Sequence, residues 1–261
     1  MTNTLLTEKE MRRAAKAAKI ATEHKESIDC ACVIHGNGYD WIYVDRLYNM
    51  LTRHFTKSIR LHVYTEQSRS VPDHMIKHVL DEWPGVSGRR RSWWYKMQLF
   101  NPAHYAGQLL YLDLDTVIVN SLDWILHLDT RYFWAIRDFQ SLWRPQFQGI
   151  NSSFMYWNTM SFAKIWDDFS CQDIHQIRKK YNGDQDYLTD VLSPTKRKFI
   201  DNTRAVSWRW QALDGGMNFQ KRIHKIPNRG TEFDPKTSLL IFHGNPKPAQ
   251  VQDLVIQSHW R

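Results

Sequence analysis

Hydrophobic and polar positions along the chain switch repeatedly between two periods. Ile28 to His35 is an apolar run of strand length, closed by the turn signal Gly36-Asn37-Gly38. Trp41, Val44, Tyr48, Leu51 and Phe55 then recur at helical spacing, and Ser58 to Thr65 alternates as a second strand. Helical patterning returns over Pro72 to Trp83 and Ser92 to Phe100, and Gln108 to Asp113 reads as the next strand. Further strands are expected at Tyr132 to Arg137, Ser153 to Trp157 and Leu239 to His243. Helices are expected over Met160 to Cys171, Asp173 to Tyr181 and Gln185 to Val191. Lys196 to Pro235 carries no clear period. At the start of the chain, Thr7 and Glu10 form a capping box that opens a helix reaching to about Glu23.

Strands alternating with helices, with the strands apolar on both faces, predict an α/β fold with a mainly parallel central sheet covered by helices. The expected organisation is a helical extension over residues 1–27 and one domain over 28–261. A chain of 261 residues, 42% apolar and 24% charged, buries a substantial core and is not disordered or fibrous. No apolar run approaches the roughly 20 residues that would span a bilayer, and the N-terminus has no apolar signal core. Cys30, Cys32 and Cys171 form no CxxC pattern and too few thiols for a disulfide framework. The expectation is a soluble, cytoplasmic protein.

A net charge of +8 favours anionic partners and leaves nucleic acid, acidic lipid headgroups and a phosphorylated substrate all open. The basic residues gather in clumps such as Arg89-Arg90-Arg91, Arg178-Lys179-Lys180 and Lys196-Arg197-Lys198, each of which also reads as a solvated surface. The N-terminal helix is a candidate contact for a second copy of the chain or for a membrane surface. Twelve tryptophans suggest aromatic platforms beyond core packing, with Trp134, Trp143, Trp157, Trp208 and Trp210 as candidates for an acceptor site.

The sharpest local chemistry is Tyr111-Leu-Asp-Leu-Asp-Thr-Val-Ile-Val119. Asp113 and Asp115 sit two apart where an apolar strand runs out, so both can converge on one point at the carboxyl edge of the sheet. Adjacent carboxylates repel unless a proton or cation satisfies them, and hard oxygen ligands suit Mg²⁺ or Mn²⁺. A pair of capping aspartates at a strand-to-loop turn is the structural alternative.

Four segments in order resemble the GT-A glycosyltransferases, most closely family 8, the glycogenin and lipopolysaccharide-galactosyltransferase group. They are Tyr111 to Asp123, Gly149-Ile-Asn-Ser-Ser-Phe-Met-Tyr-Trp-Asn158, Gly183-Asp-Gln-Asp-Tyr-Leu188 and Phe242-His-Gly-Asn-Pro-Lys-Pro248. Two departures stand out: His243 and Gly244 are adjacent where the family commonly has two residues between them, and Ser153 replaces a usual glycine. The resemblance implies a single GT-A domain that transfers a hexose from a nucleotide sugar, most often UDP-linked, to an acceptor hydroxyl with retention. It implies Mn²⁺, with Mg²⁺ as the substitute, on Asp113, Asp115 and His243.

By the same resemblance Gly36, Asn37 and Tyr39 hold the nucleoside, and Asn151 and Ser152 line the sugar pocket. Gly244 and Lys247 contact phosphate, and Lys96 stands where a basic residue lies near the donor. Asp184, Gln185 and Asp186 are expected beside the reacting sugar. Each has a structural counterpart: Asp184 as a helix N-cap, Lys96 as a snorkelling lysine, His243 as a satisfied core histidine and Gly36-Asn37-Gly38 as a plain turn. The acceptor is a glycan, a lipid-linked sugar or a modified nucleic acid, and a noncatalytic basic nucleic-acid binder is the reading from a different class.

Overall fold

The structure, a computed structural model, describes residues 27–86, 92–212 and 233–261. The expected helix from Thr7 to Glu23 and the Arg89-Arg90-Arg91 clump lie outside them. The chain runs through β1 (Ser27–Val33), α1 (Ile42–His54), β2 (Ser58–Thr65), β3 (Ile76–Val79), β4 (Gln108–Leu112) and β5 (Thr116–Ile118). It continues through β6 (Phe133–Arg137), β7 (Ile150–Asn158), α2 (Ala163–Ser170), α3 (Ile174–Lys180) and α4 (Asp184–Val191). β8 (Arg197–Phe199), β9 (Ala205–Ser207), β10 (Leu239–Ile241) and α5 (Leu254–His259) complete it.

The main sheet has the order β3-β2-β1-β4-β7-β6-β8, and β5-β10-β9 form a smaller one. β1 pairs in parallel with β2 and β4, and β2 with β3, because helical or looped crossovers separate them. β7 runs antiparallel to both β4 and β6. Alternation along each strand divides the core. Cys30, Cys32, Leu61, Val63, Leu110 and Leu112 join the layer that contains Leu47 and Met50 of α1. Ala31, Tyr64, Leu109 and Tyr111 join the layer that contains Trp94, Trp157 and Leu188. The α/β class with a mainly parallel sheet is as the patterning predicts.

Three local readings are corrected. Pro72 to Trp83 is not helical: it holds β3, whose backbone pairs in parallel with β2, His62 opposite Ile76. An unpaired β2 edge would leave a row of backbone groups without partners, and four extended residues satisfy it. Ser92–Phe100 winds as a 3-10 helix rather than an α-helix, with every residue from Trp94 onward buried. Gly183, not Asp184, precedes the first turn of α4, so Asp184 enters the helix itself.

On the face of the sheet carrying Tyr64 lies a polar chain. His62 Nε2 meets Asp29 Oδ1 at 2.8 Å, and His62 Nδ1 meets His78 Nε2 at 2.8 Å. Tyr105 and Arg60 donate to the other Asp29 oxygen. Burial alone raises the Asp29 carboxyl, but His62, Arg60 and Tyr105 more than offset it and hold it low. Burial, with His62 and His104 nearby, pushes His78 down to about 4 from 6.5.

A histidine whose folded-state pKa is depressed binds its proton less readily than the unfolded chain does. Stability is therefore intact above about pH 6.5 and is lost as pH falls from there toward 4. Thermal melts between pH 7.5 and 4.5 should show a falling Tm, and His78→Gln should flatten that slope. An unchanged slope in the variant would assign the acid sensitivity to other groups.

Candidate active site

A cavity of about 660 Å³ opens at the carboxyl ends of β1 and β4. Its floor is built by a reversal. β4 stops at Leu112, the Thr116 backbone N–H donates to the Asp113 carbonyl at 3.0 Å, and the chain leaves as β5. Asp113 and Asp115 thus lie in a turn around buried Leu114 rather than on one continuing strand. Because β7 runs backwards, its first residues arrive at the same edge, where Asp113 N–H donates to the Ser153 carbonyl at 3.0 Å. β10 pairs Ile241 with Thr116, so Phe242, His243 and Gly244 emerge beside Asp115.

The irregularity of β7 helps to shape the wall. Against β6, Ala135 lies opposite Met155 but Ile136 lies opposite Asn151, which leaves Ser152, Ser153 and Phe154 unopposed on that side. Asn151, Ser152 and Ser153 all line the cavity. α4 brings Asp184, Gln185 and Asp186 to the other wall, with the two acids in its first turn where the helix dipole favours negative charge.

Charge organises the floor. Lys96 Nζ lies 2.7 Å from Asp113 Oδ1 and 3.7 Å from Asp184 Oδ2, and donates to Ser152 Oγ at 3.2 Å. Tyr111 donates to the same Asp113 oxygen at 2.6 Å. Asp115 accepts from Lys247 and from Tyr39 Oη, the latter at 2.8 Å, and the Lys247 ammonium lies 5.3 Å from the Tyr39 ring centroid. Tyr39 is steadied from behind: its ring meets Tyr43 at 4.8 Å, and Tyr43 meets Trp260 at 5.0 Å.

Burial lowers the Lys96 ammonium, but Asp113 and Asp184 outweigh it and lift the group to about 12. Lys96 and Tyr111 hold Asp113 low against its own burial. Asp115 is raised, because burial and the Asp113 charge outweigh Lys247. Asp184 is raised by burial more than Lys96 lowers it. Among the described residues, the floor thus sets three acids, Asp113, Asp115 and Asp184, against two ammonium groups, Lys96 and Lys247.

Tyr39, Lys96, Asp113, Asp115, Asn151 and Ser152 line this one cavity, as do Asp184, Gln185, Asp186, His243, Gly244 and Lys247. Gly36 and Asn37 are not in its wall. Gly36 has φ +62°, a conformation that favours glycine, and its carbonyl accepts from Arg69 at 2.7 Å; Asn37 is exposed. They make the turn, while Gly38 and Tyr39 reach the cavity.

The metal-ligand set expected from Asp113, Asp115 and His243 is not assembled. Among the described residues no group of three or more His, Cys, Asp or Glu side chains is placed to hold a metal ion. The ammonium groups of Lys96 and Lys247 sit on the carboxylates, and His243 Nε2 pairs with Ser207 Oγ at 2.6 Å. Burial, with Arg209 and Lys247 nearby, pushes His243 down to about 4, so its ring is neutral near pH 7.

Two residues went unremarked in the sequence. Ser207 orients His243, and nothing in its local pattern signals it. Asp138 is buried, caps the turn Phe139–Leu142 and lies 3.4 Å from Gln185 Nε2. Its signal was present: like Asp113, it is a carboxylate directly after an apolar strand.

This arrangement belongs to the GT-A fold. No protein-family profile and no curated protein matches the chain. Among solved structures, an active-site mutant of LgtC is 13% identical over 88% of this chain and 93% of its own, with a TM-score of 0.64. Galactosyltransferase LgtC in complex with donor and acceptor sugar analogs is 14% identical over 89% and 96%, with a TM-score of 0.60. Mouse xyloside xylosyltransferase 1 in its apo form is 13% identical over 84% and 98%, with a TM-score of 0.51. At these identities the likeness is one of fold.

Lys96 is 8% exposed and serves two acids at once. Lys96→Met should therefore cost about 3 kcal/mol, the low end for breaking a buried pair. Scanning fluorimetry should show the corresponding drop in Tm, with Lys96→Arg retaining most of it. Equal melting of Lys96→Met and the parent chain would mean that solvent already neutralises these carboxylates.

Proposed function

We propose that the chain is a glycosyltransferase that moves a hexose from a nucleotide sugar, UDP-linked, to an acceptor hydroxyl with retention of configuration. The observation that carries this reading is the cavity at the carboxyl edge of a GT-A sheet, on whose floor the described residues set three carboxylates against two ammonium groups. The bond from the anomeric carbon to the diphosphate breaks, the acceptor oxygen takes its place, and the acceptor's proton passes to the departing diphosphate. Lys247 is the mobile cation in this scheme: it moves from Asp115 onto the diphosphate, and Tyr39 is then uncovered to stack on the base. Lys96 keeps Asp113 and Asp184 ordered, while Asp184, Gln185 and Asn151 bind sugar hydroxyls.

The donor chemistry here suits a divalent cation, Mn²⁺ with Mg²⁺ as the substitute. The raised Asp115 marks a carboxylate that Lys247 does not fully neutralise, and Asp113, Asp115 and His243 line the same cavity. These three residues would hold the ion, which would supply positive charge against the leaving diphosphate. In this reading the chain works as a peripheral enzyme of the cytoplasm.

The test is release of nucleoside diphosphate from a panel of nucleotide sugars, with Mn²⁺ or with chelator. Release from one donor, lost on chelation and reduced at least about 100-fold in Asp115→Ala, is the expected result. If no donor is turned over and none binds by calorimetry with or without metal, the glycosyltransferase reading falls. A second measurement isolates Lys247. Lys247→Gln should bind Mn²⁺ alone about tenfold more tightly, since the competing ammonium is gone, and UDP about tenfold more weakly. Unaltered Mn²⁺ affinity would show that the pair with Asp115 does not persist in solution.

A further inference from the structure

Behind the wall that carries Tyr39 lies Trp260, which is not among the five tryptophans that the sequence singles out. Its ring is seated between Tyr43 and Arg46, which stand three apart on α1 and so share a helix face. Tyr43 meets it edge-on at 5.0 Å, and the Arg46 guanidinium lies 4.7 Å from its ring centroid. Arg46 Nη1 also donates to the Trp260 carbonyl at 2.5 Å. About two helical turns further along, Arg53 donates to the carbonyls of His259 and Arg261. The segment that ends α5 is thus fastened along α1 at three successive carbonyls, and Trp260 is held by its backbone and by its ring.

The contact continues into the cavity. Tyr43 is buried, lies outside the cavity lining and meets the Tyr39 ring edge-on at 4.8 Å. The Tyr39 hydroxyl donates to Asp115 Oδ2 at 2.8 Å, and Lys247 donates to that same oxygen. The tip of Tyr39 therefore leans on a carboxylate that a bound cation would claim. Its ring leans on Tyr43, which a ligand in the cavity does not reach, and Tyr43 in turn leans on Trp260.

We infer that Trp260 is a positioning residue for the nucleotide: acting through Tyr43, it keeps the Tyr39 ring in the orientation that stacks on the base while the bond at the tyrosine tip is exchanged. This rests on the glycosyltransferase reading, in which Tyr39 meets the base. A ring already ordered by edge-to-face packing loses little freedom when a base stacks on it, and so binds more tightly than a loose one. In the same reading the phosphates meet Lys247, so their binding does not pass through Trp260.

The experiment is calorimetric titration in the presence of Mn²⁺ with two probes, UDP and pyrophosphate. Trp260→Ala should bind UDP about fivefold more weakly than the parent chain and pyrophosphate within about twofold of it, and Trp260→Phe should recover most of the UDP affinity. In a Tyr39→Ala background, Trp260→Ala should change UDP affinity by less than about twofold, since no ring remains to be positioned. A general loosening of the fold would weaken both probes together and would add to the loss in Tyr39→Ala. Either result overturns the inference, as does unaltered UDP affinity in Trp260→Ala. Should Trp260→Ala not fold, Trp260→Leu keeps the apolar bulk, lacks the ring and carries the same expectations. If the parent chain binds UDP no more tightly than pyrophosphate, no base stacks on Tyr39, and the inference is overturned while a phosphate-binding cavity stands. If the parent chain binds neither probe, the failure lies in the reading of the cavity itself, and the inference falls with it.

Discussion

Asp115 and Asp184 are buried, Asp113 is partly so, and among the described residues two ammonium groups, Lys96 and Lys247, stand against these three carboxylates. Carboxylates held out of water repel one another, and a fold keeps them there only by surrounding them with compensating groups. Much of the architecture around the cavity serves that end. The 3-10 helix drives Lys96 inward, the loop after β10 lays Lys247 across Asp115, and Tyr39 and Tyr111 each give a hydroxyl. Among the described residues these groups leave the carboxylates in excess, and the cavity opens directly over them.

Segments far apart in sequence satisfy this constraint because one strand of the sheet, β7, runs against its neighbours. Had β7 run parallel to β4, its start would lie at the opposite edge and Asn151 and Ser152 would never face Asp113. The small sheet performs the matching task for the C-terminal segment, since the pairing of β10 with β5 fixes where His243 and Lys247 emerge. The residues that line the cavity are thus placed by strand pairing. Their side chains are then adjusted by short-range hydrogen bonds such as Ser207 to His243.

Strands were legible wherever burial on both faces leaves an apolar run, as in Ile28 to His35 and Gln108 to Asp113. β3 was not, because an edge strand is half-exposed: Ile76 and Val79 face solvent while Met75 and Leu80, just outside it, are buried. That spacing mimics a helix. Of the residues expected at the site, those anchored to strand ends or to the start of α4 reach the cavity. Gly36 and Asn37 do not, because a glycine can serve a turn as readily as a ligand, and only the conformation at φ +62° decides between them. The expected ligand triad is not preassembled, for an electrostatic reason that a motif does not carry. Lys247, four residues after His243, pairs with Asp115 instead, and residue types alone do not reveal which partner a carboxylate holds.

The break in pairing between β6 and β7 has a meaning for how such a chain diverges. Ser152 and Ser153 lie beyond the β4 ladder, which ends with Leu112 opposite Phe154, and opposite no residue of β6; the Ser153 carbonyl is held by the Asp113 N–H instead. Exchanging them disturbs no cross-strand neighbour on β6, whereas exchanging Tyr156 or Met155 does. The sheet therefore concentrates mutational freedom at the stretch of strand that faces the cavity, and shields its own integrity from whatever selection asks of that stretch.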